Sequence, residues 1–387
     1  MTVTAPLGFV AAGVACGIKS SGAPDLALVA TADGRPVPTA AVFTANRATA
    51  APVQVSRRHL AASGGNAAAV VLNSGNANAA TGAPGVEVAE GTCALVAAGL
   101  GCAAAEVLVC STGLIGIPLA LAPFVTGVPT LVAARGPAGG PAAAAAILTT
   151  DTGPKEIVIR GNGFTVGGMA KGAAMLAPHM ATMLAVLTTD AAVAPGVLQH
   201  ALAAAVTTSF NEITVDGSNS TNDTVIVLAG GGRGPVDEDA FADALARACS
   251  DLAGQMAADA EGATKLIRVE VTGAASDADA ARAARQVAES QLVKCSFYGQ
   301  DPYWGRVVSE LGSAGAAFEL GRVSVAYGGV VVCRRGEPAA HDAAAVAAHL
   351  AGRRVTVSAD LGLGPGRAAV TTADLTPAYI AENMRTS

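Results

Sequence analysis

The sequence predicts an α/β protein with mixed sheets. Short runs rich in valine and alanine alternate along the chain with longer alanine-rich helical patterns. The 387 residues are too many for one ordinary domain and suit one large or two medium ones. Apolar residues make up 51% of the chain, so a sizeable core can be buried. Aromatics are only 3%, which leaves alanine, valine, leucine and 46 glycines to build closely packed layers.

Taken in order, strands are expected at 25–30, 40–44, 68–72, 107–110, 156–159 and 164–166, where β-branched and small apolar residues are bounded by glycine, proline or asparagine. Helices are expected at 89–99 and 141–148. An apolar run, TMLAVLTTD, begins at Thr182 and reads as a further strand. A helix over 196–209 and a strand over 224–228 follow. The helix over 236–258 has Asp237 or Asp239 as its cap. A strand at 265–271 precedes a helix at 276–289 that is charged on one face. The last part repeats the theme, with strands at 323–326, 330–332 and 355–358 and helices at 342–349 and 377–383. The segments PAGG (137–140) and GGGRG (230–234) are the best loop candidates, and no repeat of fixed period is present.

Several function classes are excluded. Mean hydropathy is positive, but the most apolar region, 118–148, is broken by Pro123, Gly127, Pro129, Arg135, Pro137 and Pro141. No membrane span is expected, because a spanning helix needs about 18 or more uninterrupted apolar residues. The net charge is −6 and basic residues are scattered, which argues against nucleic acid. Seven dispersed cysteines without CxxC spacing read as reduced thiols in a cytoplasmic protein. MTVTAPLGF lacks the basic and apolar regions of a signal peptide. There is no phosphate-cradling GxxxxGK[ST], no GxSxG elbow and no HExxH, and the five histidines lie far apart, so no metal is expected. An enzyme on this chain needs a base other than histidine.

The segment 167–190, GGMAKGAAMLAPHMATMLAVLTTD, suggests where that base comes from. A glycine pair and a Lys-Gly pair precede an irregular stretch, a small Ala181, a hydroxyl residue and an apolar strand. That order suits backbone self-cleavage: the Thr182 hydroxyl attacks the carbonyl of Ala181, and water hydrolyses the ester. Cleavage leaves Thr182 with a free α-amine beside its own hydroxyl. Such an amine has a pKa of about 8 and can serve as general base for the same residue. Taken alone, Thr182 reads first as a β-branched strand residue.

KGAAMLAPHMATMLAVLTTDA closely resembles the processing-site signature of the ornithine acetyltransferase family, also called the glutamate N-acetyltransferase family. There the pattern runs Lys-Gly-x-Gly-Met, then Pro, then Met-Ala-Thr-Met-Leu, and ends in Thr-Thr-Asp-Ala. GFVAAGVACGIK, DLALV, AVFTANRATAAPV, NSGNANAATG, STGLIG, TTDTGPKE, FNEITVDGSNSTND, AEGATKLIRVEVTGA, DPYWGRV and DLTPAYIAEN also resemble it, in order from Gly8 to Asn383. Ala174 replaces the second glycine of the Lys-Gly-x-Gly loop. Ala80 stands where cysteine is usual, Tyr303 where asparagine precedes Trp-Gly-Arg, and Ser218-Asn219 where an Asp-Thr pair is usual. The ending MRTS lacks the usual tyrosine.

The resemblance implies a four-layered α/β/β/α sandwich of the self-processing N-terminal-nucleophile type with a smaller C-terminal α/β part. It implies an N-terminal (alpha) chain, 1–181, and a C-terminal (beta) chain, 182–387, whose later part, about 270–387, forms the smaller subdomain. Two copies of each chain would assemble as a heterotetramer. The implied reaction moves acetyl from N-acetylornithine to Thr182 and on to glutamate, within arginine biosynthesis. Acetyl-CoA is possible as a second donor, and no other cofactor is expected. Thr182 is nucleophile and, through its freed amine, general base. Thr112 and Gly113 form the oxyanion hole, a turn that alone would read as a strand-end loop. Thr149, Lys171, Glu261, Asn383 and Ser387 line the substrate site with Thr182. Lys171 suits a carboxylate and Glu261 an ammonium, although alone each charge would read as solvated surface. Asn222 and Asp223 are open between turn and site-supporting roles, and His179 reads as loop filler. Two rival classes are an N-terminal-nucleophile aminopeptidase or amidase, and a processed but inactive binding protein.

Overall fold

The structure, a computed structural model, describes residues 2–174 and 183–384. It divides into two compact units. The larger comprises residues 1–211 and 218–256, and the smaller comprises 212–217 and 257–386.

In the larger unit the strands are β1 (Phe9–Val14), β2 (Leu26–Thr31), β3 (Val37–Phe43), β4 (Asn66–Ala67), β5 (Ala69–Asn76), β6 (Val107–Leu114), β7 (Lys155–Arg160), β8 (Thr165–Lys171), β9 (Leu184–Thr189) and β10 (Thr224–Ala229). The helices are α1 (Ala51–Ala62), α2 (Gly82–Leu100), α3 (Ala122–Ala134), α4 (Gly140–Ala146), α5 (Pro195–Thr207) and α6 (Glu238–Ala258). One sheet has the order β1-β2-β5-β6 and the other β4-β3-β10-β9-β8-β7. Pairing is antiparallel except for β5 with β6 and β9 with β10.

Alternation along each strand divides the side chains between two cores. Ala27, Val29, Val70, Leu72, Leu108 and Cys110 of the first sheet meet Ala41, Met169, Leu184, Val186, Ile226 and Leu228 of the second. The intervening residues Leu26, Leu28, Val71, Val107 and Val109 face the other way. They pack on Val55 of α1, Cys93 and Val96 of α2, and Phe124, Val128 and Leu131 of α3. On the far side of the second sheet, the ring of Phe241 in α6 lies 6.0 Å from that of Phe164, and Gln199 of α5 bonds the backbone of Ala41. The result is the α/β/β/α layering. Small residues permit this closeness. A Cβ on Gly13 of β1 would lie 2.0 Å from the Ala142 carbonyl oxygen of α4.

The smaller unit has a sheet of order β14-β13-β12-β15-β11-β16, formed by β11 (Leu266–Ala274), β12 (Ser324–Tyr327), β13 (Val330–Arg334), β14 (Glu337–Pro338), β15 (Arg354–Asp360) and β16 (Gly366–Ala373). Its helices are α7 (Asp277–Glu289), α8 (Gln291–Tyr298), α9 (Trp304–Ser313), α10 (Ala343–Ala351) and α11 (Pro377–Asn383). Ala280, Ala283, Ala284 and Val287 of α7 share a core with Val269, Val325, Val357 and Val370. The unit contains the whole of β11, so it reaches back past the approximate start at residue 270.

The expected elements are present with shifted ends, and Asp237 caps α6 by accepting the Ala240 N–H at 2.8 Å. The sequence reading omits β1, β4, β14, β16, α1, α3, α8 and α9. Helix α3 forms across part of the region read as broken. Pro123 sits in its first turn, where no N–H is needed, and Pro129 lies inside it. The carbonyl that Pro129 leaves unpaired is that of Val125, whose residue is 50% exposed to water. Tyr303 precedes α9 without capping it by a side-chain bond. Its ring instead lies under the Arg306 guanidinium at 5.5 Å.

Candidate active site

Three strand ends of the larger unit build one polar site. Strand β6 ends in Ser111-Thr112-Gly113, paired in parallel with Ser74 and Gly75 of β5. Gly113 has φ +130° and Gly75 φ +98°. A Cβ on Gly113 would lie 2.4 Å from the Gly75 carbonyl carbon and 2.5 Å from the Asn76 nitrogen, so only glycine fits. Asn222 fixes this turn from outside by donating to the carbonyls of Ala77 at 2.6 Å and Ser111 at 2.9 Å. Both of its amide hydrogens therefore serve the turn, which makes Asn222 a supporting residue.

Strand β8 ends in Lys171, which is only 2% exposed. Its ammonium donates to Thr149 Oγ1 at 2.6 Å, lies 3.4 Å from Thr112 Oγ1 and stands 3.6 Å from Asp151 Oδ2. The Asp151 carboxylate accepts from Lys155 Nζ at 2.6 Å, the Gly172 N–H at 2.7 Å and the Thr149 N–H at 3.2 Å. Burial pushes the Asp151 carboxyl up, but Lys171 and Lys155 outweigh it and hold the group well below the ordinary carboxylate range. A third ammonium, that of Lys19, stands close by. Asp25 gathers the N–H groups of Cys16, Gly17, Ile18 and Lys19. Lys19 Nζ then donates to the carbonyls of Leu148 at 2.7 Å and Pro24 at 2.9 Å. Burial pulls the Lys19 ammonium down, and Lys171 adds to that effect against Asp25 and Asp151.

Across the second sheet, Lys171 pairs with Leu184, and Leu184 with Thr224. Met183, just before β9, donates its N–H to Asp223 Oδ1 at 2.9 Å. Asp223 is buried, and among the described residues its Oδ2 has no hydrogen-bond partner. Burial pushes this carboxyl well above its ordinary range, against the Met183 N–H, the Ser220 hydroxyl and the charge of Lys171.

In the smaller unit, Asn383 Nδ2 donates to Glu261 Oε2 at 2.7 Å and to the Tyr379 carbonyl at 2.9 Å. The Tyr379 hydroxyl donates to Asp216 Oδ2 at 3.1 Å. Burial, Asp216 and Glu261 all push the Tyr379 phenol up.

Of the residues nominated from sequence, Thr112, Gly113, Thr149 and Lys171 therefore gather in the larger unit, and Glu261 and Asn383 bond each other in the smaller. Ala181, Thr182, His179 and Ser387 lie outside the described residues. Lys171 is not a solvated surface charge. The sequence reading missed Asp151, Lys19 and Tyr379 as partners of nominated residues. Each lies inside a quoted motif, TTDTGPKE, GFVAAGVACGIK and DLTPAYIAEN, so the signal was present but carried no role. Among the described residues no group of three or more His, Cys, Asp or Glu is placed to hold a metal ion, and no helix is long and apolar enough to cross a membrane.

The ArgJ family profile matches residues 10–386. The chain is 50% identical over 384 residues to the arginine biosynthesis bifunctional protein ArgJ of Thermobifida fusca, covering 99% of each chain. It is 47% identical over 384 residues to the protein of the same name from Streptomyces coelicolor, again over 99% of each. It is also similar to the crystal structure of ornithine acetyltransferase complexed with ornithine from Mycobacterium tuberculosis, at 47% identity, over 46% of this chain and 94% of that one, with a TM-score of 0.43.

Proposed function

The chain belongs to the ArgJ family, and from that premise we propose that it transfers acetyl from N-acetylornithine to glutamate through an acetylated Thr182, as a step of arginine biosynthesis. The observation that carries this reading is the buried Lys171 ammonium held against Thr112 and Thr149 at the end of β6. It supplies a charge for a substrate carboxylate beside a hydroxyl and a glycine N–H suited to an oxyanion.

The chemistry proceeds in two halves. The freed α-amine of Thr182 takes the proton from its own hydroxyl as that oxygen attacks the acetamide carbonyl of N-acetylornithine. The Thr112 hydroxyl and Gly113 N–H hold the tetrahedral oxyanion. The protonated amine gives its proton to the departing nitrogen of ornithine, leaving an acetyl ester on Thr182. The glutamate amine then attacks that ester, the nitrogen loses a proton to the Thr182 amine, and N-acetylglutamate departs as the hydroxyl recovers its proton. Thr149 and Lys171 receive the carboxylate. Glu261, with Asn383 and Ser387, receives the ornithine ammonium. The precursor cuts itself between Ala181 and Thr182, and two copies each of 1–181 and 182–387 assemble in the cytoplasm. Acetyl-CoA serves as a second donor.

Intact mass and first-residue sequencing of the purified protein test the cut, and separate assays with each donor test the transfer. The expected outcome is a chain beginning Thr-Met-Leu-Ala, a C-terminal piece one acetyl heavier when acceptor is withheld, and neither cutting nor turnover in Thr182→Ala. A fully active uncut chain would refute the mechanism. Release of acetate without glutamate would identify a hydrolase instead.

A further inference from the structure

We propose that Asp151 is a positioning residue for the transfer reaction, holding the Lys171 ammonium at the substrate carboxylate while itself touching no substrate. This inference rests on the role given to Lys171 above. Asp151 grips both sides of the place where that ammonium works. Its Oδ2 stands 3.6 Å from Lys171 Nζ and accepts the N–H of Thr149, whose hydroxyl receives the same ammonium at 2.6 Å. Its Oδ1 accepts the N–H of Gly172, the residue following Lys171, at 2.7 Å. One carboxylate thus fixes the backbone of Thr149, the backbone after Lys171 and the charge between them.

Its burial makes the arrangement specific. The Asp151 side chain is 0% exposed, and those of Lys155 and Lys171 are 3% exposed. Two ammonium groups share one carboxylate, but they are bound differently. Lys155 makes the direct bond at 2.6 Å, while Lys171 stands farther off and spends its direct bond on Thr149. Lys155 therefore meets Asp151 directly, and the Lys171 ammonium lies between the hydroxyls of Thr149 and Thr112. A lysine serving only to neutralise Asp151 would take the direct bond itself.

The other charged groups facing this cluster are Lys19, whose field reaches both Lys171 and Asp151, and Asp223, which feels Lys171. Removing the Asp151 charge leaves the ammonium groups of Lys155, Lys171 and Lys19 without the carboxylate they share. That change, with the bonds to the Thr149 and Gly172 N–H groups weakened, frees the Lys171 ammonium from the place where it meets the substrate carboxylate.

The test measures KM and kcat for N-acetylornithine in the unaltered protein, in Asp151→Asn and in Asp151→Asn/Lys155→Met. The double variant removes the surplus ammonium, so its fold keeps its charge balance if the single variant fails to fold. The expected result in both is a KM raised about tenfold or more, with kcat within about threefold because ground-state binding is what is lost. A KM within about twofold of the unaltered protein's in both variants, or a fall in kcat with KM unchanged, overturns the positioning role. Absence of turnover in the unaltered protein sinks the acyl-transfer reading itself, which the other outcomes leave standing.

Discussion

Gly113→Ala puts the site's backbone to a quantitative test. Gly113 has φ +130°, which a side chain rarely adopts. An added Cβ would lie 2.4 Å from the Gly75 carbonyl carbon, 2.5 Å from the Asn76 nitrogen and 2.7 Å from the Gly75 oxygen. These are backbone atoms within a parallel strand pair, so they cannot swing aside. Positive φ costs about 1–3 kcal/mol, and forced overpacking adds about 1–3 kcal/mol, giving a total of roughly 2–6 kcal/mol. For a unit of this size that corresponds to a fall in Tm of about 4–24 °C. Gly75→Ala provides the control. Its φ of +98° carries the same class of strain, but its Cβ would meet Lys19 Cγ at 3.0 Å and Ile18 Cγ2 at 3.3 Å, which are side-chain atoms able to give. Calorimetry should therefore place Gly113→Ala below Gly75→Ala, separated by about 1–3 kcal/mol of overpacking. Equal melting temperatures, or a Gly113→Ala protein as stable as its parent, would refute the reasoning.

Thr112→Val keeps the shape of the side chain and removes its hydroxyl, so kcat should fall about 10²–10³-fold with little change in Tm; a kcat within twofold of the parent removes Thr112 from the oxyanion role. Asp223→Asn should change how stability varies with pH. The Asp223 carboxyl is pushed up in the fold, so its contribution is present below the ordinary carboxylate pKa and is lost as pH rises through the raised value. Urea midpoints of Asp223→Asn relative to the parent should therefore improve as pH rises from about 4; a difference that is constant, or that moves in the parent's favour as pH rises, contradicts this.

The legible part of the fold was the part written in strand chemistry. Val107, Leu108 and Val109 announce β6, and Thr224 to Leu228 announce β10, because β-branched and leucine runs between turn residues have few other uses. Strand β1 was missed because FVAAGV is built from small residues around Gly13, and its identity depends on α4 lying close above it, a tertiary fact absent from the local pattern. Helix α3 was missed because Pro129 is read as a breaker, whereas Val125, whose carbonyl Pro129 cannot pair, is half-exposed at the helix surface. The site followed the same division. Lys171 and Thr149 were named, since a family motif marks them. Asp151 went unremarked although it lies two residues from Thr149, because an aspartate in a Thr-Thr-Asp-Thr run reads as a turn former. Only its burial beside two lysines separates it from the exposed aspartates of the chain.

The site depends on register more than on any single bond. Lys171, Leu184, Thr224 and Phe43 form one transverse row across β8, β9, β10 and β3. That row sets the end of β8 beside the start of β9, two residues beyond Thr182 in the chain. A slip of one residue between β8 and β9 would turn Lys171 to the opposite face, away from Thr112 and Thr149, and would move Met183 off Asp223. Several independent features oppose such a slip. The alternation of Met169, Leu184 and Val186 toward the shared core fixes the faces. The Asp223 bond to the Met183 N–H fixes where β9 begins. The Asp151 bond to the Gly172 N–H fixes where β8 ends. Both carboxylates are buried, and neither lies within a strand. Each accepts a backbone N–H at a strand end, at the place where an error of one residue would separate the ammonium from the hydroxyls it serves.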